Sequence, residues 1–175
     1  MEATQLEGPD LVLLMLLAPG AGPASENRVN GITRLEKLLF LADRESPLPS
    51  LVSDPLVFKP YNYGPYSKAI YEAVDLLEDV GLVREEFAVD GRALDAMEAA
   101  SVTAESVDGV ERRFHLTQDG VLVARRLADA APQLTAVMQD VKKRFDHLSL
   151  RELIQYVYRR YPEYAAESLI RDRFL

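Results

Sequence analysis

The chain has 175 residues, 48% of them apolar and 27% charged. That is enough to bury one respectable core or two small ones, and too little for a large multidomain enzyme. Acidic residues outnumber basic ones 28 to 20, a formal charge of −8, which opposes unspecific attraction to phosphate backbones and anionic lipid. Cysteine is absent, so disulfides, thiolate nucleophiles and sulfur-ligated metal centres are excluded.

The apolar run at 11–18 is far shorter than the about 20 residues needed to span a bilayer. No positive region introduces it as in a secretory signal, and a soluble, cytoplasmic protein is expected. Asp10 stands as its N-cap and Pro19-Gly20 closes it, which predicts a short buried helix over 10–18. A loop follows to Gly31. Thr33-Arg34-Leu35-Glu36 has the spacing of a capping box, and Leu35, Leu38, Leu39 and Ala42 fall on one face of a second helix ending near Glu45. Pro47, Pro49, Pro55 and Pro60 preclude a long helix over 46–64, where Leu56-Val57-Phe58 predicts a brief strand. Gly64-Pro65 opens a third helix with Ile70, Val74 and Leu77 inward, the stripe widened by Ala69, Ala73, Leu76 and Val80. Gly81 is its C-cap.

Two strands are predicted over 82–89 and 110–116, with Phe87, Val89, Phe114 and Leu116 alternating with polar neighbours. The alanine-rich, acidic insert at 90–109 between them is expected to be weakly ordered or to hold a helical turn over 93–100. Leu116-Thr117-Gln118-Asp119-Gly120 starts a helix to about Ala130, with Val121, Ala124 and Ala128 inward. Pro132 starts the next, with Leu134, Val137, Met138, Val141, Phe145 and Leu148 on one side. Ser149-Leu150-Arg151-Glu152 is a second capping box, stapled by Leu148 and Leu153. Leu150, Leu153, Ile154, Val157, Tyr158 and Tyr161 continue the stripe until Pro162 stops the helix, and a last turn is expected over 163–170. The whole reads as one domain, mainly α with a small β-hairpin (α+β). A winged-helix-like core spans about 10–130 and extra C-terminal helices span about 132–170.

Several segments carry a resemblance: Gly31-Ile32-Thr33-Arg34-Leu35-Glu36-Lys37-Leu38-Leu39-Phe40-Leu41, Tyr61-Asn62-Tyr63-Gly64-Pro65-Tyr66-Ser67, Gly81-Leu82-Val83, Leu116-Thr117, and 153–164 with its Gln155-Tyr156-Val157-Tyr158-Arg159-Arg160-Tyr161-Pro162 centre. Together they resemble the YwgA family of small prokaryotic proteins and, more distantly, the SocA-like (Panacea) antitoxin domain. The second resemblance implies a helical fold with winged-helix character and a neutralising antitoxin that binds a protein toxin. It implies no catalytic residue.

All eight tyrosines lie in two segments, at 61, 63, 66 and 71 and at 156, 158, 161 and 164. Tyr158 and Tyr161 belong to the apolar stripe, whereas Tyr156 points off it, next to Arg160. The two clusters are expected to pack on each other and fix the long loop. Tyr61, Tyr63, Tyr66, Tyr156, Arg159 and Arg160 are expected to border a recognition surface, since tyrosine and arginine concentrate binding energy. The Gly64-Pro65 turn with Ser67 and Lys68 offers helix amides to an anion. The expected partner is a protein, a toxin or another chain, with a homodimer as a further candidate. The alternative is a winged-helix transcriptional regulator, against which stands the predicted third helix: over 65–80 it carries one basic residue and four acidic ones, a poor match for phosphates. The only histidines, His115 and His147, and adjacent carboxylates such as Glu85-Glu86 define no acid–base pair, so no enzyme, metal or cofactor is expected.

Overall fold

In the computed structural model residues 5–20, 22, 26–89, 92–93 and 110–174 are described. The elements in chain order are α1 (Gly8–Leu17), β1 (Arg28–Asn30), α2 (Ile32–Glu45), α3 (Leu48–Leu51), β2 (Lys59–Tyr61), β3 (Gly64–Tyr66), α4 (Lys68–Asp79) and β4 (Val83–Val89). There follow β5 (Arg92–Ala93), β6 (Val110–Leu116), α5 (Gln118–Ala130), α6 (Pro132–Phe145), α7 (Leu150–Arg160), a 3-10 turn (Pro162–Tyr164) and α8 (Arg171–Phe174). The fold is mixed α+β, helical for the most part, with a small antiparallel sheet. No described helix is long and apolar enough to cross a membrane.

An uninterrupted apolar run has no polar face to offer to water, and α1 accordingly lies at the centre, with Leu11 through Leu16 all buried. It is surrounded by α2, α4, α5 and α6. The last carbonyls of a helix lack partners within it, and burying them demands a donor. Lys142 of α6 supplies one: its fully buried ammonium donates to the carbonyls of Met15 (3.0 Å), Leu16 (3.1 Å) and Ala18 (2.6 Å). Burial pushes this ammonium down to about 8, against the pull of Asp146.

The four-stranded sheet has the order β1-β6-β4-β5. β4 and β6 pair antiparallel from Val83↔Leu116 to Val89↔Val110, and β1 lies on the other side of β6 with Val29 opposite Phe114. Phe114, Leu116, Val83 and Val29 face the core. The junction of β6 and α5 shows why Thr117 and Gly120 stand where they do. Thr117 donates its hydroxyl to the carbonyl of Gly81 and accepts the amide of Gly120, while its own amide donates to Leu82. A Cβ on Gly120 would fall 1.9 Å from the Leu82 carbonyl oxygen, so only glycine lets the helix start this close to the backbone.

Several expectations are corrected. Asp10 is the third residue of α1 rather than its cap, and its carboxylate accepts the amide of Glu7, the N-cap. The expected loop 18–31 contains β1, which a single apolar residue between polar neighbours does not announce. The strand expected at 56–58 lies at 59–61, and Gly64-Pro65 belongs to β3, so α4 begins at Lys68. Ala69, Leu76 and Val80 are exposed rather than part of the α4 stripe, Leu150 is exposed at the start of α7, and Ala88 rather than Phe87 or Val89 is buried in β4. The acidic insert at 90–109 lies outside the described residues apart from Arg92–Ala93, which pair with β4 as β5.

Candidate functional site

The capping box expected at Thr33 and Glu36 is not formed: α2 is preceded by Gly31, and no side chain caps it. Glu36 is instead buried, and its Oε1 accepts the amide of Ser67 at 2.9 Å, 31 residues further along the chain. Beside it the fully buried Lys37 donates to the carbonyl of Pro65 (3.1 Å) and stands 3.5 Å from Glu36 Oε2. Burial pushes the Glu36 carboxyl up and the Lys37 ammonium down, and each charge counters the shift of the other. Two consecutive residues of α2 thus hold both ends of the segment 65–67, and with it the β2–β3 hairpin.

That hairpin has the register Lys59↔Tyr66, Pro60↔Pro65 and Tyr61↔Gly64, with Asn62 and Tyr63 at its turn. A two-stranded ribbon tolerates the facing prolines because their missing amides interrupt no inner ladder. Gly64 sits at φ +97, and a Cβ there would fall 2.8 Å from Cε1 of the fully buried Tyr158. Here the hairpin rests directly on α7. The Leu169 amide donates a hydrogen bond to the carbonyl of Asn62 (2.8 Å).

Above this floor the rings of Tyr61, Tyr66 and Tyr71 follow one another at centroid separations of 5.0 and 5.3 Å. With Tyr63, Thr33, Glu36, Gly64 and Pro65 they line a cavity of about 230 Å³. Tyr61 and Tyr63 are 45% and 52% exposed. Lys59 places its ammonium 5.7 Å from the Tyr61 ring centroid and 5.6 Å from that of Tyr66. Burial, reinforced by the charge of Glu36, pushes the Tyr71 hydroxyl up to about 12.

The C-terminal tyrosines are placed otherwise. Tyr156 and Tyr161 both donate to Glu45 of α2 (2.9 and 3.0 Å to Oε1), and Arg144 donates to the same carboxylate (3.0 Å). Tyr158 bonds Ser168, and the Tyr164 hydroxyl accepts from Arg44 at 2.6 Å. Phe40 of α2 meets Phe58, Tyr161 and Tyr164 edge-on at 5.2, 5.1 and 4.8 Å. Burial first, then the bond to Glu45, pushes Tyr161 up to about 12 and Tyr156 in the same direction. Tyr156, expected to be exposed, is half-buried against Phe145.

The six residues expected to border one surface therefore divide. Tyr61, Tyr63 and Tyr66 line the hairpin cavity, whereas Tyr156, Arg159 and Arg160 line a second, more open depression of about 420 Å³ with Leu148, Glu152 and Gln155. The anion site expected at Gly64, Ser67 and Lys68 is filled from within the chain: the Ser67 amide is taken by Glu36, and Lys68 pairs with Glu72 at 2.9 Å. Sequence reading missed Glu36, Lys37 and Tyr71 as the floor and rear wall of the cavity. The available signal was a charged pair next to the apolar face of α2. His115, half-buried on the sheet, stands 3.1 Å from Glu86, and burial with the nearby Arg84 holds it below the usual imidazole range. His147 is exposed. Among the described residues no group of three or more His, Asp or Glu side chains could hold a metal ion. In comparisons with known proteins the chain matches no protein-family model and no curated protein.

Proposed function

We propose that the chain is a non-catalytic protein-interaction module on a winged-helix frame, which docks a protein partner through the tyrosine-lined face of the β2–β3 hairpin. The observation that carries this reading is the pairing of exposed aromatic rings with a rigid floor. Tyr61 and Tyr63 are exposed, while the backbone beneath them is held by two buried charged side chains and by the Tyr158 ring. Rigid aromatic anchors lose little conformational entropy on binding and are the residue type on which binding energy concentrates. The frame is supported by the order α1, β1, α2, α4, β4, β6, with β6 between β1 and β4. The resemblance to the Panacea antitoxin domain makes a toxin the partner of first choice.

The transcription-factor alternative shares this frame but meets an electrostatic obstacle. The exposed charged residues of α4, the helix that would enter the major groove, are Lys68, Glu72, Asp75 and Asp79. Of the sheet arginines, Arg112 pairs with Glu85, and Arg113 with Glu111 and Glu86.

Affinity capture from the native cell with the full chain tests the proposal. A specific protein is expected to be retained by the wild type and lost with Tyr61→Ala/Tyr63→Ala, a variant whose thermal unfolding stays at the wild-type temperature. Retention unaffected by the double variant, or strongly salt-dependent retardation of short duplex DNA without a protein partner, would overturn it.

A further inference from the structure

The hairpin cavity has a chemistry more specific than an apolar slot, and on the reading above we infer that it receives an arginine side chain of the partner protein. Three of its walls are tyrosine rings, whose faces carry the negative end of the aromatic quadrupole and attract cations within about 6 Å of the centroid. The protein itself places an ammonium at that distance, Lys59 over Tyr61 and Tyr66, so an incoming guanidinium takes the place of this ammonium on those two rings. Glu36 lies in the lining. A carboxylate offers about four acceptor positions, of which the Ser67 amide takes one on Oε1 and Lys37 pairs with Oε2 at 3.5 Å.

Size and surroundings point the same way. At about 230 Å³ the cavity has room for about eight water-sized groups, which matches one long side chain and falls short of the about 300–1,000 Å³ of small-molecule pockets. Tyr71 extends the lining onto α4, whose outer surface exposes Asp75 and Asp79 beside the Lys68–Glu72 pair, a net negative field complementary to a basic segment. The cations nearest the lining are Lys59, over the Tyr61 and Tyr66 rings, and the buried Lys37, 3.5 Å from Glu36, while Arg112 is held by Glu85. Arginine suits the cavity better than lysine because the guanidinium is planar, weakly hydrated, stacks on aromatic rings and can meet a carboxylate with two parallel donors.

The test is a titration of the full chain with N-acetyl-arginine methylamide, followed by amide NMR shifts, against the uncharged isostere N-acetyl-citrulline methylamide. Saturable shifts confined to residues 33–36 and 61–71 are expected, with citrulline about tenfold weaker. Tyr61→Leu is expected to weaken arginine about fivefold while Tyr61→Phe, which keeps the ring face, stays within about twofold. Equal affinity for the two probes, shifts elsewhere, no saturation, or equal losses in the two Tyr61 variants would overturn the inference. Its failure is separable from that of the docking surface: a captured partner still lost with Tyr61→Ala/Tyr63→Ala leaves the surface standing without the arginine. A partner indifferent to that variant removes the surface whatever the probes do.

Discussion

The tyrosines of the hairpin and those of the C-terminal helix differ in where their hydroxyls go. Tyr156, Tyr158, Tyr161 and Tyr164 each reach a partner, three of them on α2 side chains. Among the described residues, the hydroxyls of Tyr61, Tyr63 and Tyr66 have no hydrogen-bond partner, and Tyr61 and Tyr66 make ring contacts. A tyrosine bonded at its tip and packed on its flanks is a structural strut, and one that offers a ring and a free hydroxyl above a fixed backbone is suited to meet something else. The same residue type, clustered equally tightly in both segments, thus serves cohesion in one and display in the other.

Removing the floor under the display region gives the largest expected effect. Lys37→Met leaves the buried Glu36 carboxylate without its counter-charge, and a loss of about 3–5 kcal/mol is expected, read as a fall in melting temperature of about 10 °C. Next is Gly64→Ala, which strains a φ of +97 and drives a methyl group into the Tyr158 ring; about 2–3 kcal/mol is expected, from denaturant midpoints at constant m. Tyr161→Phe removes a bond to a carboxylate and is expected to lose about 2 kcal/mol. It also has a pH signature. The folded chain holds the Tyr71 and Tyr161 protons up to about 12, whereas the unfolded chain releases them near 10. The folded state therefore binds more protons between pH 10 and 12, so stability falls as pH rises through that window. In Tyr161→Phe the fall is shallower, as denaturant midpoints at pH 9 and 11 would reveal. The smallest effect is expected for Tyr63→Phe, whose melting temperature stays within about 1 °C of the wild type.

The sequence makes local relations legible and leaves long-range ones dark. Ser149 and Glu152 form the capping box their spacing announces, each side chain bonding the other's amide. Thr33 and Glu36 have the same spacing, yet Glu36 is recruited by an amide 31 residues away, a competitor that no local pattern displays. Val110–Leu116 is recovered with the boundaries that alternation predicts, and the helix Pro132–Phe145 with its predicted start, though the predicted apolar stripe runs on to Leu148. β1 escapes notice because its pairing to β6 is decided 85 residues later. Lys142 lies one helical turn beyond Met138, at the edge of the α6 stripe, but its burial depends on the Met15, Leu16 and Ala18 carbonyls, which no local pattern displays. Both tyrosine clusters were visible as clusters. Their separation into struts and display was not, because it depends on Glu45, Ser168 and Arg44 coming within reach of one set and not the other.

The most direct test of that separation is a tyrosine-to-phenylalanine series, each variant compared with the wild type by thermal unfolding at neutral pH. Losses of about 1–3 kcal/mol are expected at 156, 158, 161 and 164 and none beyond about 0.5 kcal/mol at 61, 63 and 66. Equal losses in the two segments would contradict the division on which the proposed docking surface stands.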